Sequence, residues 1–403
     1  MPVEFSVLFY TPSFIDKMLE GYQPLPVIHY QHEEPNPLRA LERAIQNRQG
    51  SDMAIVGDTW LRGFHEMNAL RPFSAVEINR MGGEEAFLAQ ALEMSRMPED
   101  DHLWSIPWMI GTRNVFYHRD LLEKIGVQLE TAFTTADQFE ATLEHFRAAG
   151  VKYPFGMDLV GVDLVHQAAA WLRGQGGDIM AEDGKRVSID QPQSKAGLEK
   201  FFRLLRYIPP EALRDWVPQY LTTEVRRDWW SMFLQGEIPV GLSGSWFWNQ
   251  IRTSLPPERL SQIGITTPPG VPFFGSNHLV IWNHTAQVEG ALDLVRYLAS
   301  KAAYNKVPAD APGSSEFPAR MDALDAPPFT TDPNYMAIRA TIEKSRSFRQ
   351  WHLGSMIEDR LTQAFYMIAQ QVVGQPEAEI RPILDQHLNP LARHLNMVLG
   401  GLK

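Results

Sequence analysis

The start of the chain alternates strand-like and helix-like segments, and this order constrains the fold more than any other feature of the sequence. Val3, Phe5 and Val7 recur at every second position, as in a half-buried strand, and the next segment carries apolar residues at helical spacing. A later segment has Asn36 as a helix N-cap and Pro37 at the first helical position. The βαβαβ order predicts a parallel sheet covered by helices. The five segments are VEFSVLFY, FIDKMLEGY, PVIHYQH, NPLRALERAIQNRQG and DMAIV.

The rest of the chain continues the mixture of helices and short strands. Thr135 and Gln138 form a capping box at the start of a helix that ends at Gly150. Pro382 is expected to start or kink the last helix, because proline is tolerated only in a first turn. A chain of 403 residues with 44% apolar residues is long enough for two domains. Further helices are predicted in SKAGLEKFFRLLRYI, TEVRRDWWSMFLQG, AQVEGALDLVRYLAS and SMIEDRLTQAFYMIAQQVVG, and strands in EIPVGLSG and HLVIW.

Charge and composition exclude several classes of protein. The 37 basic and 48 acidic side chains give a net charge of −11, which repels phosphate backbones, so nucleic acid is not an expected partner. The absence of cysteine excludes disulfides, thiolate metal sites and cysteine nucleophiles. No apolar run approaches the roughly 20 residues that a membrane helix requires.

Four loops that follow strand-like runs share a composition suited to a sugar. Each combines a small residue with hydrogen-bonding side chains, and most add an aromatic ring. A pyranose has one apolar face that can lie on an indole and a rim of hydroxyl groups that needs directed partners. A single tryptophan after a strand also commonly covers the core, so each loop alone carries little weight. The loops are YTPS (10–13), GDTW (57–60), SGSWFW (243–248) and FGSNH (274–278).

Catalytic and metal-binding motifs fit poorly. The glycines and serines around Ser243 are out of frame for a nucleophile elbow. His29 and His32 on a short strand would point to opposite faces, so HYQHEE reads as a solvated strand end rather than a metal site. We therefore predict no catalytic residue, no metal and no cofactor. A glycan-active hydrolase or lyase stays as an alternative, favoured only by the aromatic residues and the many carboxylates.

The order of motifs along the chain resembles that of the family 1 extracellular solute-binding proteins of ABC importers, the maltose-binding-protein-like carbohydrate receptors. In three places the chain departs from the family pattern: His118 and Arg119 replace an Asn-Lys pair, EIPVGLSG lacks the usual Ala-Met pair, and Gly275, Ser276 and Asn277 stand where two glycines are usual. The motifs are ALERAIQNRQGSDMAIVGDTWLRGF, SIPWMIGTRNVFYHRDLLEKIGV, FTTADQFEATLEHFRAAG, LQGEIPVGLSGSWFW, FFGSNHLVIWNHTAQVEGALDLVRYLAS and FPAR.

The resemblance implies an α/β chain with the two-lobed periplasmic-binding-protein fold, the type II or Venus-flytrap arrangement, with a hinge of crossing strands. We expect an N-terminal lobe of residues 1–111 and 253–308 and a C-terminal lobe of residues 112–252 and 309–403. The stretch PWMIGTR would form the first crossing, with Trp108 as a wall of the cleft and Gly111 beside the hinge. Arg113 would either reach the ligand or form a salt bridge between the lobes.

Binding residues are expected from both lobes, because a ligand favours closure only through its contacts with both. The predicted ligand-binding residues are Asp58, Trp60, Trp108, Arg113, Trp246, Gly275, Ser276, Asn277, His278, Arg320 and Trp351.

The expected function is that of the substrate-binding protein of an ABC importer, which captures a sugar, oligosaccharide or polyol and delivers it to a membrane permease. The resemblance implies a monomer in the periplasm, and MPVEFSVLFY, which lacks a signal-peptide pattern, fits a mature form. Arg113, Arg320 and His278 leave an anionic sugar open as the ligand, since guanidinium groups bind carboxylates and phosphates well. A receptor that signals to a membrane sensor is a further alternative.

Overall fold

The strands form the framework that positions the rest of the chain. The computed structural model describes residues 2–8, 10–30, 37–98, 100–159, 161–210, 229–307, 317–348 and 351–401. His32, Asn36 and the first half of the helix predicted in TEVRRDWWSMFLQG lie outside these residues. Within them the strands are β1 (Glu4–Val7), β2 (Val27–Tyr30), β3 (Met53–Gly57), β4 (Ile106–His118), β5 (Phe155–Met157), β6 (Val240–Gly244), β7 (Ile263–Thr266), β8 (Phe274–Ile281) and β9 (Phe317–Pro318).

Helices cover both faces of the strands. None of the helices in the described ranges is long and apolar enough to cross a membrane. The helices are α1 (Pro12–Met18), α2 (Pro37–Gln46), α3 (Leu61–Glu66), α4 (Ala75–Arg80), α5 (Ala89–Glu93), α6 (Arg119–Lys124), α7 (Leu129–Ala132), α8 (Ala136–Ala148), α9 (Asp163–Gly174), α10 (Pro192–Arg203), α11 (Trp229–Gln235), α12 (Trp246–Ser254), α13 (Pro257–Leu260), α14 (Val288–Leu298), α15 (Lys301–Tyr304), α16 (Met321–Leu324), α17 (Pro333–Lys344), α18 (Gly354–Gly374) and α19 (Ile380–Gly400). Short 3-10 turns span Asp58–Trp60, Glu84–Ala86 and Leu204–Tyr207.

The predicted βαβαβ opening is confirmed by the strand pairing. β1 lies between β2 and β3 and is parallel to both. β8 then pairs antiparallel with β3, and β4 pairs antiparallel with β8. The carboxyl ends of β1 and β3 therefore point toward the same edge of the sheet, where the loops after these strands can contribute to a site.

The long strand β4 connects two sheets. Its first part, up to Thr112, pairs with β8, whereas the part from Arg113 onward pairs with β6 and β7. All thirteen residues of β4 are buried. β5 continues the second sheet in parallel with β6. The change of partners between Thr112 and Arg113 confirms the crossing that the sequence predicted in PWMIGTR.

Two lobe boundaries expected from the sequence are wrong. β7 pairs with the second half of β4, although residues 253–308 were assigned to the N-terminal lobe. β9 pairs with Met109 and Ile110 in the first sheet, although residues 309–403 were assigned to the C-terminal lobe. The return crossing therefore lies between β7 and β8. Which strand a short strand pairs with depends on contacts between residues that are far apart in the sequence. The spacing of apolar residues within the strand does not reveal those contacts.

Each lobe has its own hydrophobic core. In the first lobe, apolar residues of β1, β3, β4 and β8 pack against α1, α14 and α15 on one face and against α2 and α3 on the other. In the second lobe, α8, α9, α10, α18 and α19 enclose the largest core. Only the N-cap half of the capping box predicted for α8 forms: Thr135 Oγ1 accepts from Gln138 N at 3.2 Å, whereas Gln138 Oε1 accepts from the Thr135 hydroxyl rather than from its backbone N–H. Pro382 lies in the first turn of α19, where a proline removes no helical hydrogen bond.

Candidate functional site

Arg113, the first residue of β4 to pair in the second sheet, is the centre of a buried polar cluster. Its side chain is 7% exposed, and its Nη2 donates to Asp163 Oδ1 and, at 3.0 Å, to His166 Nδ1. The guanidinium carbon lies 4.6 Å from the ring centre of Trp246 and 5.7 Å from that of Phe273. The stack is a cation–π contact, which gains strength when both groups are removed from water.

A hydrogen-bonded chain continues from Arg113 to the first lobe. Because the guanidinium donates to His166 Nδ1, the ring proton of the neutral imidazole is on Nε2, which donates to Glu358 Oε1 at 2.7 Å. Thr59 Oγ1 donates to Glu358 Oε2 at 2.8 Å. Thr59 follows β3 in the first lobe, whereas Glu358 is on α18 in the second. This carboxylate therefore joins the lobes directly.

Burial governs the protonation of this chain. It raises the pKa of Glu358 to about 7, and it lowers the pKa of His166 well below its ordinary value. The His166 ring also stacks on Phe273, with 3.7 Å between ring centres and 12° between planes. The imidazole is thus a fixed neutral link between Arg113 and Glu358.

Asp58 is held at the end of β3 by three donors. Its Oδ1 accepts from Thr59 N at 2.9 Å, and its Oδ2 accepts from the backbone N and the Oγ of Ser276, both at 3.1 Å. Burial, with a smaller contribution from the Glu358 charge, raises the pKa of Asp58 to about 7. The structure thus brings together Asp58 and Ser276, which the sequence predicted separately as ligand contacts.

A second carboxylate, Asp158, anchors two indoles in the second lobe. Its Oδ1 accepts from Trp229 Nε1 at 3.1 Å and from Trp230 Nε1 at 3.0 Å, and its Oδ2 accepts from Ser243 Oγ at 2.6 Å. The Trp229 ring packs closely on two glycines: its nearest atom would be 2.4 Å from a Cβ on Gly156 and 2.6 Å from a Cβ on Gly241. Burial raises the pKa of Asp158 to about 7, with the nearby Asp163 charge as the next cause.

The sequence reasoning missed the residues that complete the cluster. Asp158 directly follows β5, so the rule applied to the other strand ends would have found it had this three-residue strand been recognised. The missed residues that lie on helices have no comparable sequence pattern, because they occupy ordinary positions on amphipathic helices. The missed residues are Asp158, Asp163, His166, Trp229, Trp230 and Glu358.

The remaining predicted contacts are partly accessible, and two of them, Gly275 and Asn277, lie within β8 rather than in a loop after a strand. Trp246 and Trp60 are half-buried, and Trp60 packs against the apolar cluster around α2 and α3. Gly275 lies opposite Gly111 on the crossing strands. Asn277 Nδ2 donates to the hydroxyl of Tyr10 at 2.9 Å. Their role in ligand binding stays a prediction.

Trp108 does not form a wall of the cleft, contrary to the sequence prediction. The ring is fully buried in the first lobe, its Nε1 donates to Leu298 O at 3.1 Å, and its edge packs on Tyr10 with 4.9 Å between ring centres. The side chain points into the sheet face covered by α1 and α14. Trp108 is therefore a core residue.

This placement predicts a stability effect. Trp108→Phe is expected to lower the free energy of unfolding by about 2 kcal/mol, because a buried hydrogen bond and part of a packed ring are lost. Ligand affinity should not change. Urea denaturation measures the loss of stability, and the thermal shift caused by a bound ligand measures the affinity. Trp104→Phe is the matched control, since Trp104 Nε1 has no hydrogen-bond partner in the described part of the chain. A change in affinity without a loss of stability would contradict the assignment.

Three other predicted contacts are engaged elsewhere. Arg320 Nη1 donates to Met81 O at 2.7 Å and to Ala299 O at 3.3 Å, so it ties together segments of the first lobe. His278 is enclosed between serine hydroxyls, and burial lowers its pKa to about 3. Trp351 is 7% exposed and stacks on Phe348 in the second lobe. None of the three belongs to the cluster around Arg113, because each is held by neighbours in its own lobe.

The cluster combines polar and aromatic groups from both lobes. It presents carboxylates, a guanidinium group, hydroxyls and indoles, and its members come from both lobes. Among the described residues no group of three or more His, Cys, Asp or Glu side chains is arranged to hold a metal ion. The groups that the cluster contains are hydrogen-bonding groups and aromatic rings.

Two α/β lobes joined by crossing strands, with a polar cluster between them, define a two-lobed binding protein of the kind that closes around its ligand by a hinge. The chain belongs to the family of bacterial extracellular solute-binding proteins, whose model matches residues 31–305. The family predicted from the sequence motifs is thereby confirmed. Membership of this family implies a location in the periplasm or outside the cell.

Known proteins with the same fold span the whole chain. The maltose-bound MalE3 of T. maritima has a TM-score of 0.79 at 16% identity and covers 98% of this chain and 100% of its own. A solute-binding protein of Thermotoga lettingae TMO, bound to α-D-tagatose, has a TM-score of 0.76 at 17% identity, with 99% of each chain covered. A binding protein of Brucella abortus is 23% identical over 224 residues, or 54% of this chain. The chain spans 50% of the length of the curated relatives it matches.

Proposed function

We propose that this protein captures a carbohydrate or polyol between its lobes and delivers it to the permease of an ABC importer. The observation that carries the proposal is the cluster around Arg113, in which Thr59 of the first lobe bonds Glu358 of the second. A ligand in contact with both lobes stabilises the closed state, which is the state a permease must recognise.

The composition of the cluster supports a sugar as the ligand. Trp246 and Trp230 offer indole surface, while Asp58, Asp163 and Arg113 offer acceptors and donors for hydroxyl groups. Two solved proteins with this fold are bound to α-D-tagatose and to maltose. We extend this ligand class to the present chain. We also propose that the protein is a monomer in the periplasm.

The contacts favour a neutral over an anionic sugar. Of the three cations that made an anionic ligand plausible, Arg320 bonds backbone carbonyls within the first lobe, and His278 is neutral because burial lowers its pKa to about 3. Arg113 is already paired with Asp163. Above about pH 7, where Asp58 and Glu358 ionise, their charges add negative potential, which disfavours a second anion.

Thermal unfolding against a panel of neutral sugars, polyols and anionic sugars tests the proposal. A ligand at a thousandfold excess over its Kd stabilises the protein by about 4 kcal/mol, which raises the Tm measurably. We expect a shift with one class of neutral sugar, and we expect that sugar to be recovered unchanged. No shift with any sugar would contradict the proposal, and turnover would favour the glycan-active enzyme.

Trp246 provides the variant for the same assay. Its ring lies 1.9 Å from where a Cβ on Gly244 would stand, so this glycine is what lets the indole reach Arg113. Trp246→Ala should weaken sugar binding by about tenfold or more, because an aromatic surface and the support of Arg113 are lost together. Trp104→Ala, in the first-lobe cluster around α2 and α3, is the control and should bind sugar like wild type.

A further inference from the structure

A further contact between the lobes lies just before α18, where a histidine meets two charged side chains of α3. His352 Nδ1 lies 2.6 Å from Glu66 Oε1, which also accepts from Arg62 Nε at 2.8 Å. A carboxylate only accepts and a guanidinium only donates, so these partners select the neutral imidazole with its proton on Nδ1. Its Nε2 then accepts from Arg62 Nη2 at 3.0 Å. The three side chains form a closed hydrogen-bonded ring, which we call the latch.

Each side of the latch is fixed in the core of its own lobe. On α3, Leu61 and Phe64 are buried in the first-lobe cluster beside α2. On the other side, Trp351 and Ile357 are buried in the largest core of the second lobe, and they flank His352 and the first turn of α18. The latch therefore connects two bodies that hinge bending moves relative to one another.

The backbone beside His352 is strained. Leu353 has a φ of 56° and a ψ of 28°, in the left-handed region that a leucine rarely adopts. Such a conformation costs free energy and persists where surrounding contacts hold it. The bond from His352 to Glu66 is a contact of this kind, so the turn is shaped to present the imidazole to the first lobe.

The contact between the lobes around the latch is narrow. A groove of about 410 Å³ separates α2 from the start of α18, with Leu38 on one side and Met356 on the other. Beside the groove, a Cβ on Gly63 of α3 would lie 3.6 Å from Ser355 Oγ, which is ordinary van der Waals contact. Separation of α3 from α18 would thus break a small set of contacts, which can form again when the lobes return.

We propose that Arg62, Glu66 and His352 are positioning residues for ligand capture: the latch forms when the lobes close, breaks when they open, and sets how long a bound ligand is held. The proposal rests on the proposed function, because the latch acts on closure around the same ligand. Contacts made only in the closed state raise its population, and the apparent affinity follows that population. The effect belongs mainly to the dissociation rate, since the ligand leaves after the lobes open.

The absence of cysteine from the chain allows an engineered disulfide to test whether the latch opens. Gly63→Cys combined with Ser355→Cys brings two thiols within bonding reach across α3 and α18. Protein loaded with the sugar found in the panel and then oxidised should release it at least tenfold more slowly than wild type, and reduction should restore the rate. Oxidised protein that releases the sugar at the wild-type rate would overturn the proposal, since the lobes would open without separating these helices. Failure of the two thiols to join would overturn it as well.

Substitutions of His352 measure the size of the effect in stopped-flow binding experiments. His352→Ala removes both bonds of the imidazole and should raise the dissociation rate about fivefold, with the association rate unchanged. His352→Gln keeps one donor and one acceptor in its amide and should stay within about twofold of wild type. His394→Ala, at an exposed position of α19, is the matched control and should bind like wild type. An unchanged dissociation rate in His352→Ala, or an equal loss in His352→Gln, contradicts the proposal.

The distance between the lobes gives a readout that does not depend on any sugar. Nitroxide labels on Val76→Cys in the first lobe and Met397→Cys in the second, at positions 61% and 71% exposed, report this distance by pulsed EPR. Without ligand, adding His352→Ala to the labelled protein should enlarge the population at the longer distance. Such a shift with no binding of any sugar supports the latch and contradicts the proposed function. Unchanged distances overturn the latch and leave the proposed function intact wherever a sugar binds.

Discussion

Arg113→Ala is expected to destabilise the protein by about 2 to 3 kcal/mol and to weaken ligand binding by about a hundredfold. The guanidinium group pairs with Asp163, fixes the tautomer of His166 and stacks on Trp246. The variant leaves His166 and Asp163 without their buried donor, while Asp163, which is 30% exposed, keeps part of its hydration. The His166 link to Glu358 would lose its orientation as well. Urea denaturation measures the stability loss, and calorimetry with the sugar found in the panel measures the affinity.

A double-mutant cycle separates the ion pair from other effects of the change. Arg113→Met combined with Asp163→Asn should be less destabilised than the sum of the single variants by about 1 to 3 kcal/mol, because the two side chains touch. Arg296→Ala is the matched control, since Arg296 and Asp293 form an ion pair that is 56% and 45% exposed. It should change stability by about 0.5 kcal/mol or less. Additive effects in the cycle would contradict the pairing.

The parts of the fold that local sequence determines were predicted well. Alternating apolar residues in β1 and helical spacing in the segments after it fixed the parallel order of β1, β2 and β3. The change of partners in β4 lies between Thr112 and Arg113, inside the segment that the motif resemblance identified as a crossing. Asp58 was found by the rule that sites lie at strand ends. Ser276 was predicted in a loop after a strand, which is wrong, because residues 274–278 form the first part of β8; the two residues share a hydrogen bond all the same.

The parts that depend on distant contacts were not predicted. Trp108 and Arg113 lie in the same strand, yet the Trp108 side chain enters the core and the Arg113 side chain enters the cluster. Every residue of β4 is buried, so its apolar pattern does not indicate which face of the strand borders the cleft. His166 and Glu358 are 192 positions apart and meet only because α9 and α18 pack together. Both look like ordinary helix residues in the sequence, so their polar role follows from packing alone.

Glu358→Gln is expected to change how stability depends on pH. Burial raises the pKa of Glu358 to about 7, above the ordinary glutamic-acid value of 4.5, so the native state holds this proton more tightly than the unfolded state. Its stabilising contribution is present below about pH 4.5 and is lost as the pH rises toward 7. For one carboxyl this amounts to about 3 kcal/mol. The groups that face it are His166, Asp58 and Arg113.

Glutamine has no proton to lose and can keep both hydrogen bonds, because the Thr59 hydroxyl can accept from the amide while the amide oxygen accepts from His166 Nε2. The free energy of unfolding of the variant should therefore equal that of wild type near pH 5 and exceed it near pH 8. Removing the Glu358 charge also lowers the pKa of Asp58, which that charge helps to raise, and this flattens the pH dependence further. Urea denaturation at both pH values measures the difference, with Glu123→Gln on the exposed face of α6 expected to follow wild type. Parallel curves for wild type and Glu358→Gln would mean that Glu358 stays ionised in the native protein, and that Thr59 and His166 hold a charged carboxylate between the lobes.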